Sequence, residues 1–197
     1  MLELNDKDII GRGLARTCYR YPGRGDRCIK IDHFEVREHT DTRREEKYYR
    51  RIARLKPGFN YDCIPRYFGS VPTNRGDGAV FELICDEAGG EISQTLDLVD
   101  RDYLKQRALD VKAGLEVLRR SLFDNGILVR DLHPGNIAVK MLADSRMQMV
   151  VIDGIGHTEF FPIVDIFPSL ARRKLKRYYK KPKYQTVEAL LRELDAS

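Results

Sequence analysis

Val129-Arg130-Asp131-Leu132-His133-Pro134-Gly135-Asn136, followed by Val150-Val151-Ile152-Asp153-Gly154, is the part of the chain on which its reading turns. An Asp and an Asn five positions apart in a Pro/Gly loop, with a second Asp closing an apolar run, bring hard oxygens toward one place. Magnesium carrying phosphates asks for this, because it takes one or two protein oxygens and fills its remaining positions from phosphate and water. Taken singly, Asp131 and Asn136 read more simply as turn formers and Asp153 as the cap of a strand end.

Between the two parts lie the short apolar runs Ile137 to Val139 and Met149 to Ile152, joined by the turn-like Asp144 and Ser145, which predicts a hairpin. Upstream, Leu104, Ala108, Val111, Leu115, Leu118 and Leu122 recur in steps of four and three, the buried stripe of one long helix. Gly89 and Gly90 mark a change of composition. Before them the text is β-type: Ile9 and Ile10, Thr17 to Tyr21, a turn at Pro22 to Asp26, then Cys28 to Ile31, and later Arg66 to Val71 and Ala79 to Ile84. Arg37 to Lys56 has helical spacing and stops at Pro57-Gly58. At the far end Val187, Leu190, Leu191 and Leu194 form a last apolar stripe. The expected class is α+β: a β-rich N-terminal lobe with one helix over residues 1–85, and a mainly helical C-terminal lobe over 86–197.

The chain has 197 residues, 42% hydrophobic and 33% charged, enough to bury a sizeable core. No stretch approaches the roughly 20 uninterrupted apolar residues of a membrane span, and no basic n-region opens the sequence, so a cytoplasmic protein is expected. Cys18, Cys28, Cys63 and Cys85 are scattered without a C-x-x-C, which favours reduced thiols over a zinc set. The net charge of +5 is local in origin. Ala171 to Tyr184 holds eight Lys and Arg and no acid, and without that segment the balance is −3. The run Arg172 to Lys183, with Tyr178, Tyr179 and Tyr184 interleaved, therefore predicts a local anionic contact, its plainer reading being a solvated helix face.

Arg130-Asp131-Leu132-x-Pro-x-Asn136 resembles the catalytic loop of protein kinases, and Asp153 falls where the aspartate of D-F-G should be. Gly11-x-Gly13 resembles the glycine-rich phosphate loop, and Cys28-Ile29-Lys30 the A-x-K of the third strand. Helix geometry selects the acidic partner of Lys30. Glu45 lies three, four and seven residues before Tyr48, Tyr49 and Ile52 and so shares their apolar face, while Glu46 is turned about 100° further round. A carboxylate on a buried stripe needs a cation, and Lys30 on a neighbouring strand is the candidate.

The sequence thus resembles the protein-kinase-like superfamily and, within it, is similar to the small bacterial YrbL-type proteins of the PhoP regulatory network. That narrower likeness rests on Arg43-Arg44-Glu45-Glu46-Lys47-Tyr48-Tyr49, Ile64-Pro65-Arg66-Tyr67-Phe68-Gly69 and Val150-Val151-Ile152-Asp153-Gly154-Ile155-Gly156. The resemblance implies a bilobal kinase-like fold that uses ATP and Mg2+. Gly11 and Gly13 would cover the nucleotide phosphates, Lys30 held by Glu45 would bind them, and Asn136 and Asp153 would hold magnesium. Ile84, Cys85, Asp86 and Glu87 would form a hinge whose backbone faces adenine, and Asp131 would orient and deprotonate an acceptor hydroxyl.

The sequence also departs from the kinase pattern. Arg16 replaces the third loop glycine, Val129 and His133 replace the His and Lys of the catalytic loop, and Gly154-Ile155 replaces Phe-Gly. Asp-Leu-His-Pro-x-Asn is closer to small-molecule phosphotransferases, and no A-P-E follows. The expected reaction is transfer of the γ-phosphate to a hydroxyl of a small molecule, saccharide or lipid-linked sugar, an acceptor that could be anionic, rather than to a protein. Two other readings stand beside it: a catalytically silent kinase-fold regulator that binds nucleotide or a partner, and an anion-binding module that uses the basic run. His133 is open between a structural loop residue and a phosphate contact.

Overall fold

The structure, a computed structural model, describes residues 1–33, 41–156 and 168–195. Its contacts fall into two compact units, Met1–Phe59 with Pro65–Leu83, and Asn60–Ile64 with Ile84–Ser197.

The first unit is built on a five-stranded sheet of β1 (Ile9–Arg12), β2 (Arg16–Arg20), β3 (Arg27–Asp32), β4 (Tyr67–Thr73) and β5 (Gly76–Glu82). The spatial order is β1-β2-β3-β5-β4, and every neighbouring pair is antiparallel. Side chains alternate across a strand, so Tyr19, Ile29, Ile31 and Val80 share one face and pack with Leu4 of the N-terminal segment. The opposite face carries Lys30 and Phe81 and receives helix α1 (Asp41–Leu55). Tyr48, Tyr49 and Ile52 of α1 are buried. The Tyr49 ring stands 5.3 Å from Phe81 and 5.9 Å from Tyr67, an aromatic cluster that fastens helix to sheet. Of the helical stretch expected from Arg37, residues 37–40 lie outside the described residues; the helix ends as expected before Pro57 and Gly58, the latter at φ +81°.

The second unit contains α2 (Arg101–Gln106), α3 (Ala108–Asp124), the hairpin β6 (Ile137–Met141) and β7 (Met147–Val151), α4 (Pro168–Tyr178) and α5 (Pro182–Asp195). Of the stripe, Leu104, Val111, Leu115, Leu118 and Leu122 are buried and Ala108 half-buried, yet it is carried by two helices and not one. The break is at Arg107 (φ −108°, ψ 24°), whose guanidinium donates to Asp110 Oδ2 at 2.6 Å and to the Ser145 carbonyl at 2.7 Å. That grip on the β6–β7 turn outweighs the helical preference of the surrounding residues. Helix α3 packs on β7 at Gly114, where an added Cβ would stand 3.0 Å from the Met147 carbonyl oxygen. The α+β class is therefore as expected: an antiparallel β-rich unit with one helix, then a mainly helical unit with a hairpin. Helix α1 is inserted in the chain between β3 and β4.

Candidate functional site

Each unit carries its own group of polar side chains. In the first, Lys30 and Glu45 meet as expected: Lys30 Nζ lies 3.3 Å from Glu45 Oε2, with Glu45 2% and Lys30 7% exposed. Lys30 Nζ also stands 4.6 Å above the Phe81 ring. Arg16, noticed in the sequence only as a lost glycine, is a second partner of the same oxygen, with Nη1 at 2.8 Å and the residue 7% exposed. Arg16 pairs across the strands with Asp32, one diagonal step from the Cys18 and Lys30 pair, so Arg16 and Lys30 share a face. The Thr42 hydroxyl accepts from Arg16 at 3.4 Å and donates to Asp32 Oδ1 at 2.6 Å. Glu46, expected toward solvent, is half-buried and accepts from the Tyr67 hydroxyl at 2.7 Å.

Gly11 and Gly13 lie in the β1–β2 hairpin, where the Gly13 N–H donates to the Arg16 carbonyl at 2.8 Å. Both are exposed, and neither has a positive φ. A Cβ on Gly11 would meet nothing within 4 Å, and one on Gly13 only the Arg16 carbonyl oxygen at 3.5 Å. The local fold does not itself require glycine at either place. On the same sheet, the Cys28 thiol is held well above its usual range by a hydrogen bond with Cys18 and by burial.

In the second unit the loop after α3 pairs with the chain beyond β7. Val129 bridges Ile155 antiparallel, the Arg130 N–H donates to the Gly154 carbonyl at 2.7 Å, and the Gly156 N–H to the Leu128 carbonyl at 2.7 Å. The Asn136 side-chain amide donates to the Asp131 carbonyl at 2.8 Å, which turns Oδ1, its only ligating atom, away from that carbonyl. The Ile152 N–H donates to the Asn136 carbonyl at 2.9 Å, so the hairpin register brings Asn136 beside the residue preceding Asp153. The structure thus joins Asp131, Asn136 and Asp153 in one neighbourhood. Gly154 (φ +73°) permits this: a Cβ there would lie 2.9 Å from Asp131 Cβ and 3.1 Å from its N and O.

His133 caps the short turn Pro134–Asn136, its Nδ1 accepting from the Gly135 N–H at 3.2 Å. The neutral ring then carries its proton on Nε2, which lies 4.0 Å from Asp131 Oδ1. The sequence left open a structural role, and this contact gives it one. Among the described residues no three His, Cys, Asp or Glu are grouped as a metal cage. Asn136 and Asp153 offer an amide oxygen and a carboxylate, donors of the kind that suit an ion taking its other ligands from phosphate and water.

The hinge residues are tied within the second unit. The Ile84 carbonyl accepts from Ser93 N–H at 3.0 Å, Asp86 N–H donates to the Glu91 carbonyl at 2.8 Å and Glu87 N–H to the Met141 carbonyl at 2.9 Å. Cys85 bridges Ile92, and Asp86 Oδ1 accepts from the Ser93 hydroxyl and from Met141 N–H. Three of the backbone groups the resemblance offers to adenine are thus engaged internally.

The basic run divides. Arg172 donates to the carbonyls of Phe123 and Asp124 at 3.3 and 3.2 Å, closing the C-terminus of α3. Arg173, Lys176, Arg177, Lys180 and Lys181 are exposed. Of the interleaved tyrosines, Tyr178 and Tyr179 are half-buried and Tyr184 is buried. Tyr184 is 7% exposed, and its ring stands 4.6 Å from that of Tyr179, which follows Ala171 and Leu175 in steps of four just past the end of α4. That spacing was the available signal. Burial raises both phenols, and Tyr179 the more strongly.

Comparison with known proteins agrees with the narrower likeness. The family profile described as PhoP regulatory network protein YrbL matches residues 2–186. The chain is 32% identical over 183 residues to the YrbL proteins of Escherichia coli (strain K12) and Shigella flexneri, covering 92% of this chain and 86% of each of theirs. Among solved structures it is similar to the PknI kinase domain of Mycobacterium tuberculosis, at 13% identity and a TM-score of 0.47. That match covers 74% of this chain and 57% of the length of that domain.

Proposed function

Taking as premise that the chain belongs to the YrbL family of PhoP regulatory network proteins, we propose that it is an ATP- and Mg2+-dependent phosphotransferase acting on a hydroxyl. The observation that carries this reading is the buried contact of Lys30 with Glu45, two residues 15 apart in sequence, on a strand and a helix. Burying these charges is costly unless they are paired, and the ordered motifs give the pairing a use. Bound ATP would supply the γ-phosphoryl group, and Mg2+ would neutralise charge on it. Lys30, positioned by Glu45, binds the nucleotide phosphates, and the hairpin at Gly11 and Gly13 leaves room for them. Asn136 and Asp153 hold the metal. Asp131 orients the acceptor hydroxyl and takes its proton, with the His133 Nε2–H beside it. Little covalent chemistry is asked of these groups, so positioning and charge neutralisation provide the rate.

The acceptor class is a small molecule, saccharide or lipid-linked sugar. Asp-Leu-His-Pro-x-Asn, with Gly154-Ile155 in place of Phe-Gly, supports it. The cytoplasm supplies both ATP and the reducing conditions that suit scattered cysteines; no described helix is long and apolar enough to cross a membrane. The exposed cations of α4 would draw an anionic acceptor or surface, an attraction that added salt weakens.

Thermal unfolding with ATP, with and without Mg2+, tests the reading on the wild type, Lys30→Ala and Asp153→Asn. A metal-dependent rise in Tm that both variants lose is expected, since a ligand bound only to the folded state stabilises it. Asp131→Asn should keep the rise and lose phosphate transfer. No shift at saturating nucleotide would replace the enzyme with a silent kinase-fold regulator.

A further inference from the structure

Glu45 holds two buried cations on one oxygen, and they are unequal. Arg16 Nη1 is at 2.8 Å and Lys30 Nζ at 3.3 Å from Oε2. The Arg16 guanidinium is a planar, pre-organised fork, fixed further by the Thr42 hydroxyl, which is itself bonded to Asp32 on the facing strand. The Lys30 ammonium is a point charge on a flexible four-carbon stem. We propose that Arg16 is a positioning residue: it is the fixed counter-ion of Glu45 and holds α1 on the sheet, which leaves Lys30 as the cation able to turn to a nucleotide phosphate.

The proposal rests on the phosphotransferase reading for its use, but its physics is independent of it. If Lys30 were the sole partner of Glu45, transferring its charge to a phosphate would strand a carboxylate that is 2% exposed, a severe penalty in a low-dielectric interior. With Arg16 in place, Glu45 keeps a charge-assisted hydrogen bond throughout. The residue that replaces a loop glycine thereby supplies a second anchor between β2 and α1. Removing each cation should therefore have opposite consequences: losing Arg16 loosens the resting fold, and losing Lys30 spares the fold but removes a phosphate ligand.

The test uses the full chain as wild type, Lys30→Ala, Arg16→Gln and Arg16→Lys, with melting of the nucleotide-free protein and titration with a fluorescent ATP analogue plus Mg2+. Lys30→Ala is expected to melt close to the wild type and to lose binding. Arg16→Gln is expected to melt several degrees lower and bind at least about tenfold more weakly, the scale of one hydrogen bond to a charged group. Arg16→Lys, which keeps the charge, should recover most of both, and it decides the matter if Arg16→Gln does not fold. The proposal is overturned if Lys30→Ala lowers the melting point as much as Arg16→Gln, or if Arg16→Lys recovers neither quantity. The melts need no nucleotide. If the wild type binds no analogue, the phosphotransferase reading falls, and the order of the melting points still settles the role of Arg16.

Discussion

Gly154→Ala probes the closest approach in the candidate site, and Gly90→Ala supplies its control. Both glycines lie in the second unit with positive φ, +73° and +69°. Each alanine would meet the left-handed penalty of ~1–2 kcal/mol. At Gly90 nothing lies within 4 Å of the added Cβ, so that penalty is the whole expected loss. At Gly154 the Cβ would stand 2.9 Å from Asp131 Cβ and 3.1 Å from Asp131 N and O. Comfortable carbon contacts are about 3.5–4.0 Å, so one segment must retreat by ~0.5–1 Å, straining the 2.7 Å bond from Arg130 N–H to the Gly154 carbonyl.

Overpacking of this kind costs about 1–3 kcal/mol, which sets the Gly154→Ala loss at ~2–5 kcal/mol against ~1–2 kcal/mol for Gly90→Ala. Urea unfolding followed by far-UV circular dichroism measures both. Their difference isolates the contact with Asp131 from the backbone penalty. Should turnover be established, a displacement of this size at Asp131 would lower it by around a hundredfold, whereas Gly90→Ala would not touch it. Equal stability losses within ~0.5 kcal/mol would refute the reasoning, since they would mean that Asp131 does not press on Gly154.

Glu45→Gln breaks buried ion pairs and is expected to cost ~3–5 kcal/mol in urea unfolding; Glu46→Gln still accepts from Tyr67 and should cost no more than ~1 kcal/mol. Similar losses from the two would contradict the placement of Glu45 against both cations. Tyr179→Phe removes a hydroxyl oxygen that is buried without a hydrogen-bond partner among the described residues, so a gain of ~1 kcal/mol is expected at pH 7. Burial raises the Tyr179 pKa, so stability linked to its protonated form is complete below the unfolded value near 10 and is lost as pH climbs toward the folded value. Melting curves at pH 7 and 10.5 should show a smaller alkaline loss for Tyr179→Phe than for the wild type; a variant that melts lower at both values would show that the hydroxyl is bonded.

What the sequence disclosed and what it withheld have separate physical causes. Glu45 could be chosen over Glu46 because helical phase is a local property: three, four and seven residues to Tyr48, Tyr49 and Ile52 suffice to assign a face. The hairpin of Ile137 to Ile152 was legible for the same reason, from two apolar runs and a turn. Arg16 was not, because its partner depends on the pairing of Arg16 with Asp32 and on α1 lying over that face. Cross-strand register is set by the whole sheet and not by neighbours in sequence. The division of the long apolar stripe at Arg107 was hidden likewise, since the bond that captures Arg107 comes from Ser145, 38 residues away. The half-buried position of Tyr179 was legible from its four-residue spacing after Ala171 and Leu175, even among cations.

The departures from the kinase pattern bear on whether the chain is a working enzyme or the remnant of one. A site that had merely drifted would be expected to leave misfitted groups, because a buried charge without a partner or a Cβ forced into a neighbouring backbone costs several kcal/mol. Three of the departures have a reciprocal. Arg16, in place of a glycine, meets Glu45 and Thr42. Gly154, in place of a phenylalanine, is the residue that admits the backbone of Asp131. His133, in place of a lysine, closes the loop on Gly135 and turns its Nε2–H toward Asp131. Substitutions matched in this way preserve the surroundings of Lys30 and Asp131 while altering how they are held. Under the proposed phosphotransferase reading, hydroxyl-bearing small molecules are the first set to screen, with Asp131→Asn as the inactive reference.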